Sequence, residues 1–153
     1  MQRNTRPWIR LFIILLLLII SAGIFNVPSQ WQATKRINGL NEAINANKPA
    51  DIYPYLIPEL REMLTKEEFV QNFAKERSYP YLSPLYVYLD EVNLAADRRS
   101  GEAISTVAAR LPGQKMKVKL IYIRGQYYVE AFRDIADESY LLKFQNIKKQ
   151  ATQ

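Results

Sequence analysis

The run KMKVKLIYIRGQYYVE, residues 115–130, holds two stretches of alternating apolar and polar side chains joined by one glycine. A period of two marks half-buried strands, and a glycine between two such stretches marks a hairpin. Taking Gly125 as the first central residue of a type II′ turn pairs Arg124 with Tyr127. Tyr122 then falls opposite Val129, Leu120 opposite Ala131 and Val118 opposite Arg133, on a mostly apolar face. The other face sets Lys117 against Asp134, Lys119 against Phe132 and Ile121 against Glu130. Lys115, Lys117 and Lys119 therefore read as a solvated sheet face, partly neutralised, and not as a basic recognition stripe.

Working outward from this hairpin, four strands are expected: Leu85–Leu94, Glu102–Leu111, Lys115–Arg124 and Tyr127–Ile135. Leu111-Pro112-Gly113-Gln114 carries Pro and Gly where a type II turn requires them, and Ala95–Gly101 makes a longer, charged loop. Together these predict an antiparallel meander. In its first strand Leu85, Val87 and Leu89 share one face while Tyr86 and Tyr88 share the other, so this strand is covered twice or lines something.

Upstream the period becomes helical. Ser29 is placed to cap a helix with Trp31, Ile37, Leu40 and Ile44 near one face, ended by Pro49. Pro54 and Pro58 break Ala50–Leu64 into short turns carrying Ile52, Tyr55, Leu56, Leu60 and Met63. Thr65-Lys66-Glu67-Glu68 fits a capping box, and opens a helix with Phe69, Val70, Phe73 and Ala74 on its apolar stripe, ending before Pro80. At the other end Asp137–Lys149 reads as a short helix with Tyr140, Leu141 and Phe144 inward, its basic residues biased to the C-terminal end, and residues 150–153 fray.

The N-terminus is of another kind. Residues 8–27 contain one charge, Arg10, in 20 positions, and their centre, LFIILLLLIISAGIF at 11–25, has none. About 20 apolar residues cross a bilayer core as a helix. Leu11, Phe12, Leu15, Leu18 and Ile20 are the expected anchor residues. Arg3, Arg6 and Arg10 precede the segment, and the next charges are Lys35 and Arg36, which places residues 1–10 in the cytoplasm as a short basic tail and the 29–149 domain outside. Ser21-Ala22-Gly23 also suits a signal-peptidase site, so secretion after cleavage is the alternative. Both readings export the domain.

Composition then narrows the chemistry. The 153 residues contain no cysteine and no histidine, which excludes disulfides, Cys/His zinc sites, lipoprotein anchoring and thiol or histidine catalysis. The net charge of +6 divides evenly: residues 1–25 hold three arginines and no acid, leaving 18 basic and 15 acidic side chains beyond them. An excess of three gives no case for nucleic acid. The five glycines form no phosphate loop. Glu59 with Glu62 and Glu67 with Glu68 read as solvated helix faces and not as metal ligands. No cofactor or metal is expected.

Amphipathic helices ending in Leu64-Thr65-x-Glu67-Glu68-Phe69, followed by a meander whose hairpin reads LIYIRGQYYV, resemble the extracytoplasmic members of the nuclear transport factor 2-like superfamily. The resemblance covers about residues 30–136, with Gly125, Tyr128 and Val129 matching the family hairpin. It departs from the family where Tyr stands for the usual Trp and where prolines break the second helix. It implies an α+β fold in which two to three helices pack on a curved, cone-like four-stranded meander. The superfamily includes scaffolds, ligand binders and enzymes, so fold does not decide function. The reading favoured is a membrane-anchored interaction or assembly module of a cell-envelope or secretion complex, held near an envelope protein or a second copy of itself. The alternative is a cone binding an apolar small ligand. Tyr55, Tyr86, Tyr88, Tyr122 and Phe132 are the candidate pocket or interface residues in either case. An isomerase- or dehydratase-like enzyme would need a carboxylate beside a tyrosine in an apolar cavity; Asp90, Glu91, Glu130 and Asp134 are available, but no catalytic motif is matched.

Overall fold

A computed structural model of the chain describes residues 8–9, 11–16, 27–78, 86–108 and 114–142. Helix α1 (Gln30–Asn45) is followed by α2 (Pro49–Ile52), a 3-10 turn (Tyr53–Tyr55), α3 (Pro58–Met63) and α4 (Lys66–Arg77). Strands β1 (Tyr86–Leu94), β2 (Ser100–Ala108), β3 (Gln114–Ile123) and β4 (Gln126–Glu130) form one antiparallel sheet in chain order, and the short helix α5 (Arg133–Ala136) follows. The class is α+β, as the alternation predicts.

The helices start where their caps stand. Ser29 Oγ accepts the Gln32 amide at 3.3 Å. At α4 the Thr65 hydroxyl accepts the Glu68 amide while the Glu68 carboxylate accepts the Thr65 amide at 2.7 Å, the reciprocal box that its sequence predicts. The buried face of α1 is Ala33, Ile37, Leu40, Asn41, Ala43 and Ile44. Trp31 lies off it, 67% exposed, because six residues advance a helix by about 240° past a full turn. On α4, Phe69 and Phe73 are buried as expected, but Asn72 is buried and Ala74 exposed.

The hairpin closes two residues away from the expected register. Ile123 pairs with Gln126, and the central pair is Arg124-Gly125, with φ of 48° and 92°. Two positive φ values make a type I′ turn, whose twist also matches the strands. A shift of two preserves the faces and changes every partner: Leu120 meets Val129, Tyr122 meets Tyr127 and Lys119 meets Glu130. The expected contacts of Val118 with Arg133, Lys117 with Asp134 and Lys119 with Phe132 are replaced. β4 ends at Glu130, because Phe132 turns into the left-handed region (φ 59°) and α5 begins. Its ring packs on Phe69 and Phe73 at 6.2 and 5.8 Å. The expected turn at residues 111–114 and the helix beyond Leu142, with Phe144, lie mostly or wholly outside the described residues; residues 140–142 are helical, with Tyr140 buried and Leu141 exposed.

A bulge keeps β1 amphipathic. Strict alternation from Val87 and Leu89 would turn Glu91 and Asn93 inward. The register shifts between Leu89 and Glu91, so Val92 and Leu94 face inward instead, opposite Ala103 and Gly101. The inner face thus presents Val87, Val92, Ala103, Val118, Leu120 and Val129 to α1 and to Ile52, Leu56 and Leu60, all buried. Full burial of a side chain of this size contributes about 1.5–3 kcal/mol.

Both sheet edges are covered. On β1 the Asn45 side chain accepts the Val87 amide at 2.7 Å and donates to the Val87 carbonyl at 2.9 Å, and Gln30 donates to the Val92 carbonyl at 2.6 Å. On β4 Leu56 makes a parallel bridge with Val129, the Ile57 amide donating to the Val129 carbonyl at 3.1 Å.

Residues 8–9 and 11–16 are helical, and the apolar side chains of Trp8, Ile9, Leu11, Phe12 and Leu15 are all exposed. Among the described residues no helix is long and apolar enough to cross a membrane. Of the expected anchor and topology residues, Leu18, Ile20, Arg3, Arg6 and Arg10 lie outside the described residues.

Candidate functional site

The expected pocket residues do not converge. Tyr122 packs edge-on against Tyr127 at 5.0 Å. Phe132 belongs to the Phe69–Phe73 cluster. Tyr86 and Tyr88 stand on the outer sheet face, 45% and 60% exposed, where the alternation of β1 puts them once Val87 points inward. Tyr55 borders the notch described below, and Phe132 borders a separate, charged depression beside Lys119 and Glu130. Between helices and sheet the inner face is filled by the core side chains.

One notch collects charge. Its volume is about 240 Å³, and its walls include Trp31, Lys35, Arg36, Tyr55, Gln126 and Tyr127. Arg36 builds it: Nε donates to the Tyr127 carbonyl at 2.9 Å, a second nitrogen donates to the Pro54 carbonyl at 2.6 Å, and the guanidinium lies 4.1 Å from the centre of the Tyr55 ring. One side chain therefore joins α1, the 3-10 turn and β4. Gly39, three residues further along α1, leaves the room that Tyr55 takes, since a Cβ there would collide with the Tyr55 hydroxyl. Lys35 reaches over Trp31, 5.0 Å from the ring centre.

The electrostatics of this notch are one-sided. No Asp or Glu is among its lining residues, and among the described residues no carboxylate lies within salt-bridge distance of Lys35 or Arg36. Burial pulls the Arg36 guanidinium below its ordinary range; Tyr55 and Tyr128 oppose that shift and Arg61 adds to it. Arg61 itself lies 5.2 Å from the Tyr128 ring, and its Nε is buried with no hydrogen-bond partner among the described residues.

The outer sheet face is the opposite case. Lys115 pairs with Asp90 at 3.1 Å, Lys117 with Glu102 at 4.0 Å and Lys119 with Glu130 at 3.6 Å. Lys115 and Thr106 hold the Asp90 carboxyl below its usual range, and Arg133 with Lys119 does the same to Glu130. Cross-strand neutralisation of the lysines was legible, though with other partners. Carboxyls acidified on an open face are also unlike the raised-pKa base of an apolar cavity. Among the described residues no three acidic side chains are grouped so as to hold a metal.

Sequence reasoning missed the notch, although its signal was present: Lys35 and Arg36 are the first charges after the apolar segment, and Trp31 sits one turn before Lys35. Comparison with protein-family models and with curated proteins finds no match to this chain.

Proposed function

We propose that the chain is a membrane-tethered extracytoplasmic interaction module, anchored through residues 8–27 with the N-terminus cytoplasmic. Its α+β domain docks an envelope protein or a second copy through the outer face of β1. The observation that carries this reading is the contrast between a filled interior and two exposed tyrosines, Tyr86 and Tyr88, on a face whose neighbours are charged and ion-paired. Tyrosine is enriched where surfaces meet. Covered edges favour docking by side chains over strand addition.

The anchor is supported by the N-terminal helical residues. Their large apolar side chains are exposed all round, from Trp8 at 81% to Leu16 at 47%, and a helix apolar on every side needs hydrocarbon or a core around it. The nuclear transport factor 2-like reading is supported by the order of helices before an antiparallel meander, and by a helix α1 that bonds to both outer strands, as a sheet curved around it requires. A tether raises the effective concentration of a partner in the same membrane, so modest contacts suffice.

Two measurements test this. Carbonate-washed membranes should retain the full-length chain; a soluble species beginning near Ile24 refutes the anchor. A photo-crosslinking residue at position 88 should capture one defined membrane-associated partner or a second copy, while one at position 117 should not. Equal, diffuse capture at both positions refutes the docking face.

A further inference from the structure

The Arg36 notch has a feature that the docking reading does not use: two cations without an acid, one of them half-buried and fixed in orientation. A buried charge is ordinarily paired, because its desolvation is otherwise uncompensated. The guanidinium has five N–H donors; two carbonyl contacts lock its plane on the Tyr55 ring and leave donors to spare. Lys35 adds an exposed ammonium at the same opening, and Trp31 and Tyr55 supply flat apolar walls. Arg61, 5.2 Å from the same Tyr128 ring that Arg36 approaches at 5.7 Å, adds to the positive potential.

We propose that this notch binds a phosphate oxyanion carried on a small or amphipathic molecule. The guanidinium of Arg36 takes two of its oxygens, Lys35 neutralises the remaining charge, and Trp31 covers the attached glycerol or alkyl portion. Fork-shaped donors match phosphate geometry, and a charge between −1 and −2 balances the two cations facing the space. The source of the phosphate is a lipid headgroup or a soluble phosphate ester. Placement favours the first: Trp31 is the second residue of α1, four residues after Val27, and a tryptophan beside a lysine is the side-chain pair of a membrane interface. That preference rests on the anchor proposed above; the anion site does not.

The test uses the full chain in non-ionic detergent with W8F, so that Trp31 is the sole tryptophan. Dihexanoyl phosphatidylglycerol, glycerol 3-phosphate and inorganic phosphate are titrated separately against Trp31 emission. A saturable change with at least one of them is expected, weakened about tenfold by K35Q and more by R36Q, since charge-assisted bonds are the stronger class. Saturation by the lipid alone identifies the headgroup as the source; saturation by the soluble esters as well identifies the free ester. Lys35 is exposed, with its ammonium over the Trp31 ring, so K35Q keeps the test valid if R36Q fails to fold. No saturable change with any probe, or a change that K35Q leaves intact, overturns the proposal. A chain released from membranes that still binds glycerol 3-phosphate removes the anchor and keeps the site; a retained chain that binds nothing does the reverse.

Discussion

Replacing Asn45 should destabilise the fold more than its half-exposed position on α1 suggests. The Asn45 amide serves as a short strand, accepting from the Val87 amide and donating to the Val87 carbonyl at 2.7 and 2.9 Å. Val87 is 1% exposed, so water replaces neither bond well. In N45A both Val87 groups lose their partner, at about 1–1.5 kcal/mol each, and the total of about 2–3 kcal/mol corresponds to a fall in Tm of about 8 °C for a chain of this size. N45D separates the two bonds. It retains the acceptor for the Val87 amide but sets a carboxylate against the Val87 carbonyl, which raises the carboxyl pKa in the folded state above the unfolded value of about 3.9. The folded chain then binds more protons, so N45D regains stability relative to N45A as pH falls through the raised folded value and keeps that gain below the unfolded one. Thermal unfolding of the full chain in detergent, followed by circular dichroism at about pH 7 and about pH 4, measures both effects. A loss under about 0.5 kcal/mol for N45A, or an N45D deficit that ignores pH, would show that the edge contact does not hold β1. An exposed edge also pairs with other chains, so N45A should self-associate with rising concentration.

Other perturbations probe separate parts of the molecule. T65A should cost about 1 kcal/mol by removing the cap of α4, read by denaturant unfolding. Glu68 has its pKa lowered by the Thr65 amide and then by the Thr65 hydroxyl; its contribution is therefore present above the unfolded carboxylate pKa and lost as pH falls through the folded one, and E68Q should flatten the acid limb of stability. G39A gains about 1 kcal/mol of helix propensity while displacing Tyr55, so it should change Tm little and weaken phosphate binding in the Trp31 titration. F132A should lose about 3 kcal/mol, the low end for a phenylalanine because Phe132 is only partly buried, since it removes the ring from the Phe69–Phe73 cluster, where Phe132 contacts both at about 6 Å.

The legible part of the fold was the part governed by period. Residues 115–130 declare two strands whichever turn joins them, because either register leaves Leu120, Tyr122 and Val129 on one face. Turn type decides the partners, and Gly125 suits a first position in one turn and a second in the other. The pattern over 127–135 overruns the end of β4 because Val129, Ala131 and Ile135, with Glu130 and Asp134 between them, continue an apolar–polar alternation. The same region also obeys a helical rule, since Phe132, Ile135, Ala136 and Tyr140 recur at three, one and four, and packing chooses that rule. The bulge at Asp90 follows from Glu91 and Asn93, which would otherwise be buried. Sites were harder to read because they depend on where elements cross: nothing within Arg36 predicts that Tyr127, 91 positions away, lends it a carbonyl.

The way α1 is fastened has a mechanical consequence. A pull on the chain before Gln30 enters the domain along α1, and the helix is tied by side chains to Val92 and Val87 on one outer strand and to Tyr127 on the other. Those ties are spread along its length from Gln30 to Asn45, so such a load strains them together in shear and does not peel them one at a time. The domain is thereby suited to bearing tension at its N-terminal end, and under a steady pull the ties of Gln30, Arg36 and Asn45 should give together in one step.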